Sequence, residues 1–286
     1  MHNAADVGHK DVAEFNKAEV NAEARTRFTP LHAAALRGHK DVADLLLAKG
    51  AEVNARANDE WTPLNIAALH GHKDVVALLL AKGAEVTAKS NLGQTPLHYA
   101  ASAGDKDVVE LLLANGAVVN ARDTFHRTPL YDAAEKGHKD VAELLLASGA
   151  EVNAEANTRF TPLHAAAAHG HKDVAALLLA NGADVNAKSK HGQTPLELAA
   201  RSDRYDVVEL LRNHGDKVSM IIDTTIHDAA KDGDLEKVRA LLKGNPGLVS
   251  RHDDARNTPL HAAAFGGHGD VARFLLGSEA EVNAEN

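Results

Sequence analysis

The chain has 286 residues, 44% of them hydrophobic and 25% charged, which is typical of a globular protein and excludes a disordered or collagen-like chain. It contains no cysteine, so disulfides, thiolate metal sites and cysteine nucleophiles are excluded. A formal charge of −9 disfavours broad binding to nucleic acid or to anionic membranes. Because no apolar run is long enough for a signal peptide or a membrane span, we expect a soluble protein, cytoplasmic or otherwise intracellular.

A tetrad of the form Thr-Pro-Leu-x recurs along the chain with a constant step of 33 residues, which predicts a repeat architecture. A variant, Thr224 to His227, follows the sixth copy after 30 residues, and a further copy, Thr258 to His261, follows after 34. The units account for residues 27–286 and leave no stretch for a second domain. The six regular copies begin at Thr29, Thr62, Thr95, Thr128, Thr161 and Thr194.

The residues of one unit predict a pair of helices followed by a loop. Thr29 is a suitable N-cap, and Pro30 fits the first helical position because its missing N–H would have no partner there. Gly38 ends the first helix in a left-handed conformation, and Asp41 lies in the first turn of the second helix, which ends at Gly50. The apolar face of this second helix is too small to be buried by one unit, so neighbouring units must stack.

The repeated pattern, TPLHAAA-x-GHKDV-x-x-LLLA-x-GA-x-VNA, resembles the ankyrin repeat family over essentially the whole chain. The resemblance implies an all-α solenoid of helix-turn-helix units with β-hairpin-like fingers, which binds other proteins and is not an enzyme. It also implies that the tetrad histidines bond to the backbone between units. Nearly identical second helices beside diversified fingers resemble designed ankyrin repeat proteins as well, so a natural array and a constructed binder both remain open.

The units are expected to differ at the ends of the array and near residue 220. Residues 216–223 are a predicted seam, because the connection there is too short for a full finger. The first and last units lack polar caps, which favours head-to-tail self-association as a possibility. The predicted units are residues 1–26 (a truncated N-terminal repeat), 27–59, 60–92, 93–125, 126–158 and 159–191 (regular repeats), 192–221 (cap-like, with a shortened finger), 222–255 (N-cap-like) and 256–286 (the last repeat).

Positions that vary between units lie in the fingers and along the first helix, which by resemblance line a concave groove that contacts partners. Aromatic residues make up only 3% of the chain, and most of them fall at these positions, as expected of interface anchors. The alternative is that they pack the corner between finger and helix. The predicted partner-binding residues are Arg27, Phe28, Glu60, Trp61, Ile66, Leu69, Tyr99, Phe125, Arg127, Tyr131, Asp132, Arg159 and Phe160.

The finger turns depart from the family pattern, in which Asp-x-x-Gly places a glycine at a positive φ. Only Gly93 and Gly192 keep that glycine. We expect the other turns to be either strained or differently shaped. The residues that stand in place of the glycine are Arg27, Glu60, His126, Arg159 and Arg256.

Sequence signals for catalysis and metal binding are weak. The chain has 18 histidines, but a zinc site needs three or four convergent ligands, and we expect those in the Gly-His-Lys-Asp segments to cap the second helix. The segment Gly267 to Ala272 fits G-x-G-x-x-A but joins two helices and follows no strand. We therefore expect no enzyme, cofactor or metal, and a protein or peptide as partner. The alternative is a scaffold with no dedicated ligand that self-associates through its uncapped ends.

Overall fold

The structure is a computed structural model that describes residues 20–214, 219–244, 246–253 and 256–278. Within these ranges the chain forms sixteen α-helices and one short 3-10 helix, and it forms no β-strand. The chain divides into two compact units, residues 1–162 and 163–286. The described part of the chain therefore has the all-α architecture and the helix pairs that the repeat predicts.

Four helix pairs build the described part of the first unit, and each pair corresponds to one 33-residue repeat. The helices are α1 Pro30–Arg37, α2 Lys40–Ala48, α3 Pro63–Leu69, α4 Lys73–Ala81, α5 Pro96–Ala103, α6 Lys106–Ala114, α7 Pro129–Lys136 and α8 Lys139–Ala147. Neighbouring pairs stack through their first helices, α1 on α3, α3 on α5 and α5 on α7, and also through their second helices.

The remaining helices follow the same alternation with one longer member. Helix α9 starts at the last residue of the first unit and continues into the second. These elements are α9 Pro162–His169, α10 Lys172–Ala180, α11 Pro195–Arg201, α12 Tyr205–His214, α13 Ser219–Asp232, α14 Leu235–Gly244, the 3-10 helix Pro246–Ser250, α15 Pro259–Gly266 and α16 Gly269–Gly277.

The predicted helix boundaries are close to the observed ones. Gly38 ends α1 in the left-handed region, at φ 71°. Helix α2 ends at Ala48, two residues before the predicted end at Gly50. Thr194 and Glu197 form a capping box, because the Thr194 N–H donates to Glu197 Oε2 over 2.9 Å and the Thr194 hydroxyl oxygen accepts from the Glu197 N–H over 3.3 Å.

The core of each repeat consists of small and branched apolar side chains from both helices. In the first unit, the tetrad leucines and the alanine pairs that follow them are fully buried, and so is one leucine near the end of each of α4, α6 and α8. In the first unit these leucines are Leu31, Leu64, Leu97 and Leu130 on the first helices, and Leu79, Leu112 and Leu145 on the second helices. Alanine permits close approach of the first helices, and therefore few aromatic residues are needed to fill the core.

The tetrad histidines link successive repeats, as the family resemblance implies. In the first unit, His32 Nε2 donates to the carbonyl of Trp61 over 3.0 Å, and His98 Nε2 donates to that of Arg127 over 3.1 Å. The other ring nitrogen of His98 accepts from the Thr95 N–H over 3.2 Å. Burial lowers the pKa of His98 to about 4, so the imidazole is neutral and its two nitrogens have opposite roles.

The prediction that the histidines of the Gly-His-Lys-Asp segments cap the second helix is wrong at His72 and His138. Both occupy the N-cap position, but neither side chain bonds to its own helix. His72 Nε2 donates instead to the carbonyl of Leu36, and His138 Nε2 to that of Ser102, each over 3.0 Å. Gly38 lies directly against the His72 ring, since a Cβ there would come within 2.7 Å of Nδ1.

The loops between successive helix pairs, called fingers below, close as hairpin-like turns without forming strands. In the finger that precedes α3, the Ala57 N–H donates to the Trp61 carbonyl over 3.0 Å, and the Glu60 N–H donates to the Ala57 carbonyl over 2.9 Å. Adjacent fingers are joined by a backbone bond, such as Asn58 N–H to the Thr26 carbonyl over 2.9 Å.

All the finger turns whose geometry is described adopt the left-handed conformation that the family glycine would allow. Gly93 has φ 72°, and the residues that replace glycine have φ values within about 15° of it. The turns are thus strained and not differently shaped, because a side chain in this region is costly. The φ values of the replacing residues are 57° at Arg27, 58° at Glu60, 60° at His126, 60° at Arg159 and 64° at Arg256.

The predicted seam lies partly within a helix. Residues 219–223 form the first turns of α13, whereas 216–218 lie outside the described residues, as do residues 1–19 of the truncated first repeat and 279–286 of the last. An ion pair of 2.9 Å joins Lys237 Nζ on α14 to Asp203 Oδ1 before α12. Among the described residues, no helix has both the length and the apolar character that crossing a membrane requires.

Candidate functional site

A groove of about 470 Å³ lies in the first unit, between two adjacent fingers and the first helices beside them. Three of the predicted partner-binding residues, Phe28, Trp61 and Ile66, line it. The two aromatic rings are half-buried, while Ile66 is only 4% exposed and forms part of the floor. The remaining lining residues are Thr26, Leu36, Ala57, Asn58, Asp59 and His70. This set of nine residues is called the finger groove below.

The backbone holds Trp61 in place from two directions. Its carbonyl accepts from His32 Nε2 and from the Ala57 N–H, each over 3.0 Å. The left-handed residue Glu60 precedes it and turns the chain toward α3. The Trp61 ring packs on Tyr99, with 4.6 Å between centroids and an interplanar angle of 46°. Trp61 therefore presents a rigid, half-buried aromatic surface in the finger groove.

Tyr99 supports Trp61 rather than projecting on its own. It is 5% exposed, and its hydroxyl donates to Ser90 Oγ over 2.9 Å. Burial raises the pKa of Tyr99, so the phenol stays neutral at any physiological pH. Tyr99 therefore packs the corner between finger and helix, and little of its surface is left to contact a partner.

A second group of predicted residues, Phe125, Arg127, Tyr131 and Asp132, lies together two repeats further along and is called the Arg127 cluster below. Arg127 Nε donates to Asp123 Oδ2 over 2.9 Å. The Arg127 guanidinium carbon lies 5.3 Å from the ring centroid of Phe125 and 6.0 Å from that of Tyr131. Phe125 is 50% exposed, whereas Tyr131 is buried, and this burial raises its pKa to about 12.

Asp123 fixes the turn that carries the Arg127 cluster. Its Oδ1 accepts from the N–H groups of Phe125 and Arg127, each over 2.8 Å, and its side chain is fully buried. Its two oxygens thus accept three hydrogen bonds, two from the backbone of the finger and one from the guanidinium. Asp123 was not among the predicted site residues, although it is the aspartate of the Asp-x-x-Gly turn position.

Asp132 differs from every other residue of the cluster because one oxygen of its carboxyl group lacks a hydrogen-bond partner. It is 3% exposed, and its Oδ2 atom has no hydrogen-bond partner, the only such buried side-chain atom found in the described part of the chain. Burial raises its pKa to about 8; the charge of Arg127 opposes this shift, whereas those of Asp123 and Glu135 add to it. A buried carboxyl group with a raised pKa and an unpartnered oxygen marks Asp132 as a candidate functional residue.

The remaining predicted residues lie apart from these two groups. The charged residues at the finger turns pair within their own fingers, Arg27 with Glu23 over 3.7 Å, Glu60 with Arg56 over 3.0 Å and Arg159 with Glu155 over 3.2 Å. Leu69 and Phe160 are half-buried. The structure thus brings together Phe28, Trp61 and Ile66, and separately Phe125, Arg127, Tyr131 and Asp132.

Six residues of the finger groove were absent from the prediction. Leu36 and His70 were recognisable as the variable end of the first helix, but Thr26, Asn58 and Asp59 lie at the fingertips, where the repeat comparison gave no separate signal. No cluster of three or more histidine or acidic side chains suited to a metal ion occurs in residues 20–214, 219–244, 246–253 and 256–278. The His70 and His72 rings stack 6.1 Å apart, and His72 Nε2 bonds to Leu36.

Comparison with known proteins gives a consistent picture. A family model described as ankyrin repeats matches residues 1–90, 88–156, 153–221 and 221–286. The chain is 48% identical over 59 residues to the Probable E3 ubiquitin-protein ligase XBOS32 of Oryza sativa subsp. japonica, covering 20% of this chain and 12% of that protein. It is 39% identical over 61 residues to Protein phosphatase 1 regulatory subunit 27 of Homo sapiens, covering 21% of this chain and 39% of that protein. The matches span well under half the length of either relative.

Proposed function

The chain belongs to the ankyrin repeat family, and on that premise we propose that it is a protein-binding module whose partner, a protein or peptide, contacts the finger groove and the Arg127 cluster. Ankyrin repeats act as interaction modules and not as catalysts, and one relative is named as a regulatory subunit, which fits this role. The partner-binding surface proposed here is restricted to the first unit.

The single observation that carries this proposal is the half-buried pair of aromatic rings in the finger groove. Phe28 and Trp61 are held by strained turns and by hydrogen bonds of the backbone, so binding would cost them little conformational entropy. Large aromatic side chains in partly desolvated pockets supply most of the binding free energy at protein interfaces. A groove of about 470 Å³ is large enough to accept one or two side chains of a partner.

Binding selection from a display library of random 12-residue peptides tests the proposal directly. The full chain is immobilised, and the affinities of the enriched peptides are measured against the chain and its variants by fluorescence polarisation. We expect Trp61→Ala and Phe28→Ala each to weaken binding by about 30-fold, which corresponds to roughly 2 kcal/mol. Val118→Ala is the matched control, because Val118 is an apolar residue of the first unit that is 54% exposed and does not line the finger groove.

The proposal is contradicted if the enriched peptides bind the Trp61→Ala and Phe28→Ala variants as tightly as the unaltered chain, because such peptides do not use the finger groove. Circular dichroism of each variant shows whether a loss of binding reflects a loss of folding.

Self-association is a second candidate function, and it depends on a different surface. Phe265, on α15, is 84% exposed, more than any other large apolar residue in the described part of the chain, and Leu276, on α16, is 44% exposed. If copies associate through this face, sedimentation velocity will show a mass that rises with concentration and falls with Phe265→Asp. A monomer at all concentrations contradicts this candidate and leaves the groove proposal untouched.

A further inference from the structure

Asp132 occupies a position that is apolar or aromatic in most other repeats. In the units from residue 27 onward, the equivalent residues are Ala33, Ile66, Tyr99, Ala165, Leu198, Asp228 and Ala262, and Asp228, the one other acid, is exposed. Alanine at this position is compatible with the fold, since Ala33 and Ala165 are both buried in equivalent helices. A buried carboxyl group is therefore not required for stacking, and its presence in the fourth described helix pair needs another explanation.

The register of the repeat directs Asp132 toward the same surface as the finger groove. Ile66 stands two repeats earlier at the same position of its helix, and it lines the groove although it is only 4% exposed. Asp132, at 3% exposure, is buried to the same degree. Tyr99 links the two regions: its ring packs on Trp61, and its phenol lies within the electrostatic influence of Asp132.

The cations near Asp132 do not satisfy its free oxygen. Arg127 donates to Asp123 and stacks between the Phe125 and Tyr131 rings, and it makes no hydrogen bond to Asp132. Lys136 pairs with Glu135 over 3.5 Å. When Asp132 is ionised, the acidic groups Asp123, Asp132 and Glu135 outnumber the basic groups Arg127 and Lys136, so its ionised form needs one further positive charge as partner.

We propose that Asp132 is the acceptor for a basic side chain, arginine or lysine, of a peptide segment bound along the finger groove and the Arg127 cluster. This inference rests on the proposed function and specifies the chemistry of the partner. As an incoming guanidinium or ammonium group binds, Asp132 releases its proton to solvent and its Oδ2, which has no other partner in the described structure, accepts from the cation; the half-exposed Phe125 ring offers an aromatic face in the same cluster. The partner segment therefore combines an apolar side chain for the finger groove with one positive charge.

The test uses the same random 12-residue peptide library, selected in parallel against the full chain and against its Asp132→Asn variant. Asn keeps the size of the side chain and removes the charge. We expect peptides enriched on the unaltered chain to share one fixed arginine or lysine, and those enriched on the variant to lack it. Asp140→Asn is the matched control, because Asp140 is an exposed acid on α8 of the same repeat.

A double-mutant cycle then assigns the basic residue to Asp132. When the fixed arginine of a selected peptide is replaced by citrulline, or a fixed lysine by norleucine, affinity for the unaltered chain should fall at least 10-fold. The same replacement should change affinity for the Asp132→Asn variant less than threefold. Asp132→Ala serves as a second variant, because alanine already occupies this position in three repeats.

Two outcomes overturn the inference. One is a selected peptide pool in which basic residues are no more frequent than in the input library. A selection that enriches no peptide counts as the same outcome. The other is an equal loss on citrulline or norleucine replacement for the chain and for the Asp132→Asn variant. If such peptides still lose affinity with Trp61→Ala, the proposed function stands and only the cation is refuted; if they do not, the groove proposal fails as well.

Discussion

Replacement of Asp132 by alanine should stabilise the folded chain, and by an amount that depends on pH. In the folded state burial holds the pKa of Asp132 at about 8, against an ordinary value of 3.8. Between these two values the unfolded chain releases its proton while the folded chain keeps it. Stability contributed by the protonated state is thus fully present below pH 3.8 and is lost as the pH rises toward 8.

The magnitude follows from the size of this shift. One pKa unit corresponds to a little over 1 kcal/mol, so the stability that the folded chain loses through Asp132 between pH 3.8 and pH 7 is about 4 kcal/mol, a loss that the Asp132→Ala variant does not show. The charge of Arg127 reduces this penalty, whereas those of Asp123 and Glu135 increase it. These neighbours remain in the Asp132→Ala variant, and so do the nearby phenols of Tyr99 and Tyr131, so the comparison isolates the one carboxyl group.

The assay is urea denaturation of the full chain and of Asp132→Ala, followed by far-UV circular dichroism at pH 4.5, 6, 7 and 8. We expect the variant's advantage to grow by several kcal/mol across this range. Because repeat arrays can unfold in segments, hydrogen exchange of the amides in α5 to α8 locates the gain. Asp140→Ala, which removes an exposed carboxylate from the same repeat, should follow the pH profile of the unaltered chain.

Parallel pH profiles for the chain and the Asp132→Ala variant would refute the reasoning. They would mean that Asp132 titrates with the same pKa in the folded and unfolded states, and hence that its carboxylate is solvated or paired when the protein is folded. A variant that is less stable at pH 8 than at pH 4.5, relative to the chain, would contradict the sign of the effect. Either result would also remove the unpartnered oxygen on which the cation proposal depends.

Three further predictions concern buried and strained residues. His98→Gln should destabilise the chain at pH 7, and the difference in the free energy of unfolding between the chain and the variant should narrow by about 2 kcal/mol at pH 5. Burial lowers the pKa of His98 to about 4, so at pH 5 the histidine gains a proton only in the unfolded chain. Urea midpoints at the two pH values measure this change. His126→Gly should raise the free energy of unfolding by about 1 kcal/mol by relieving a left-handed φ, and Gly93→His should lower it. Tyr99→Phe should cost about 1 kcal/mol in calorimetry through the lost hydroxyl bond, with the fluorescence of Trp61, the single tryptophan, unchanged.

Those parts of the fold that depend on local chemistry could be predicted from the sequence. Pro30 at the first helical position and Gly38 after the last one define α1 within a residue, and the capping box at Thr194 follows from the same short-range rules. The 33-residue period then fixes the stacking, because equivalent residues of neighbouring units must meet. Neither step requires knowledge of contacts between residues distant in sequence.

The prediction of side-chain contacts from the sequence failed where the partner of a side chain lies in another repeat. His72 looks like a helix cap when only its own segment is considered, yet its ring bonds to the carbonyl of Leu36, 36 residues away. The finger turns show the opposite case: the backbone bonds of the array hold Glu60 in the left-handed region although its side chain disfavours that conformation. Tertiary contacts override local preference at both positions.

Hydrogen-bond partners separate the residues with a structural role from the functional candidates among the predicted site residues. Tyr99 varies between repeats, but its hydroxyl bond to Ser90 and its contact with Trp61 explain its position by packing. Asp132 varies at the equivalent position without such an explanation, because nothing in the described structure bonds to its Oδ2 atom. Variation between repeats identifies both residues as candidates, and only the accounting of hydrogen bonds distinguishes them. A residue that weakens the fold, where alanine serves equally well in neighbouring units, is best explained by a partner that supplies the missing bond.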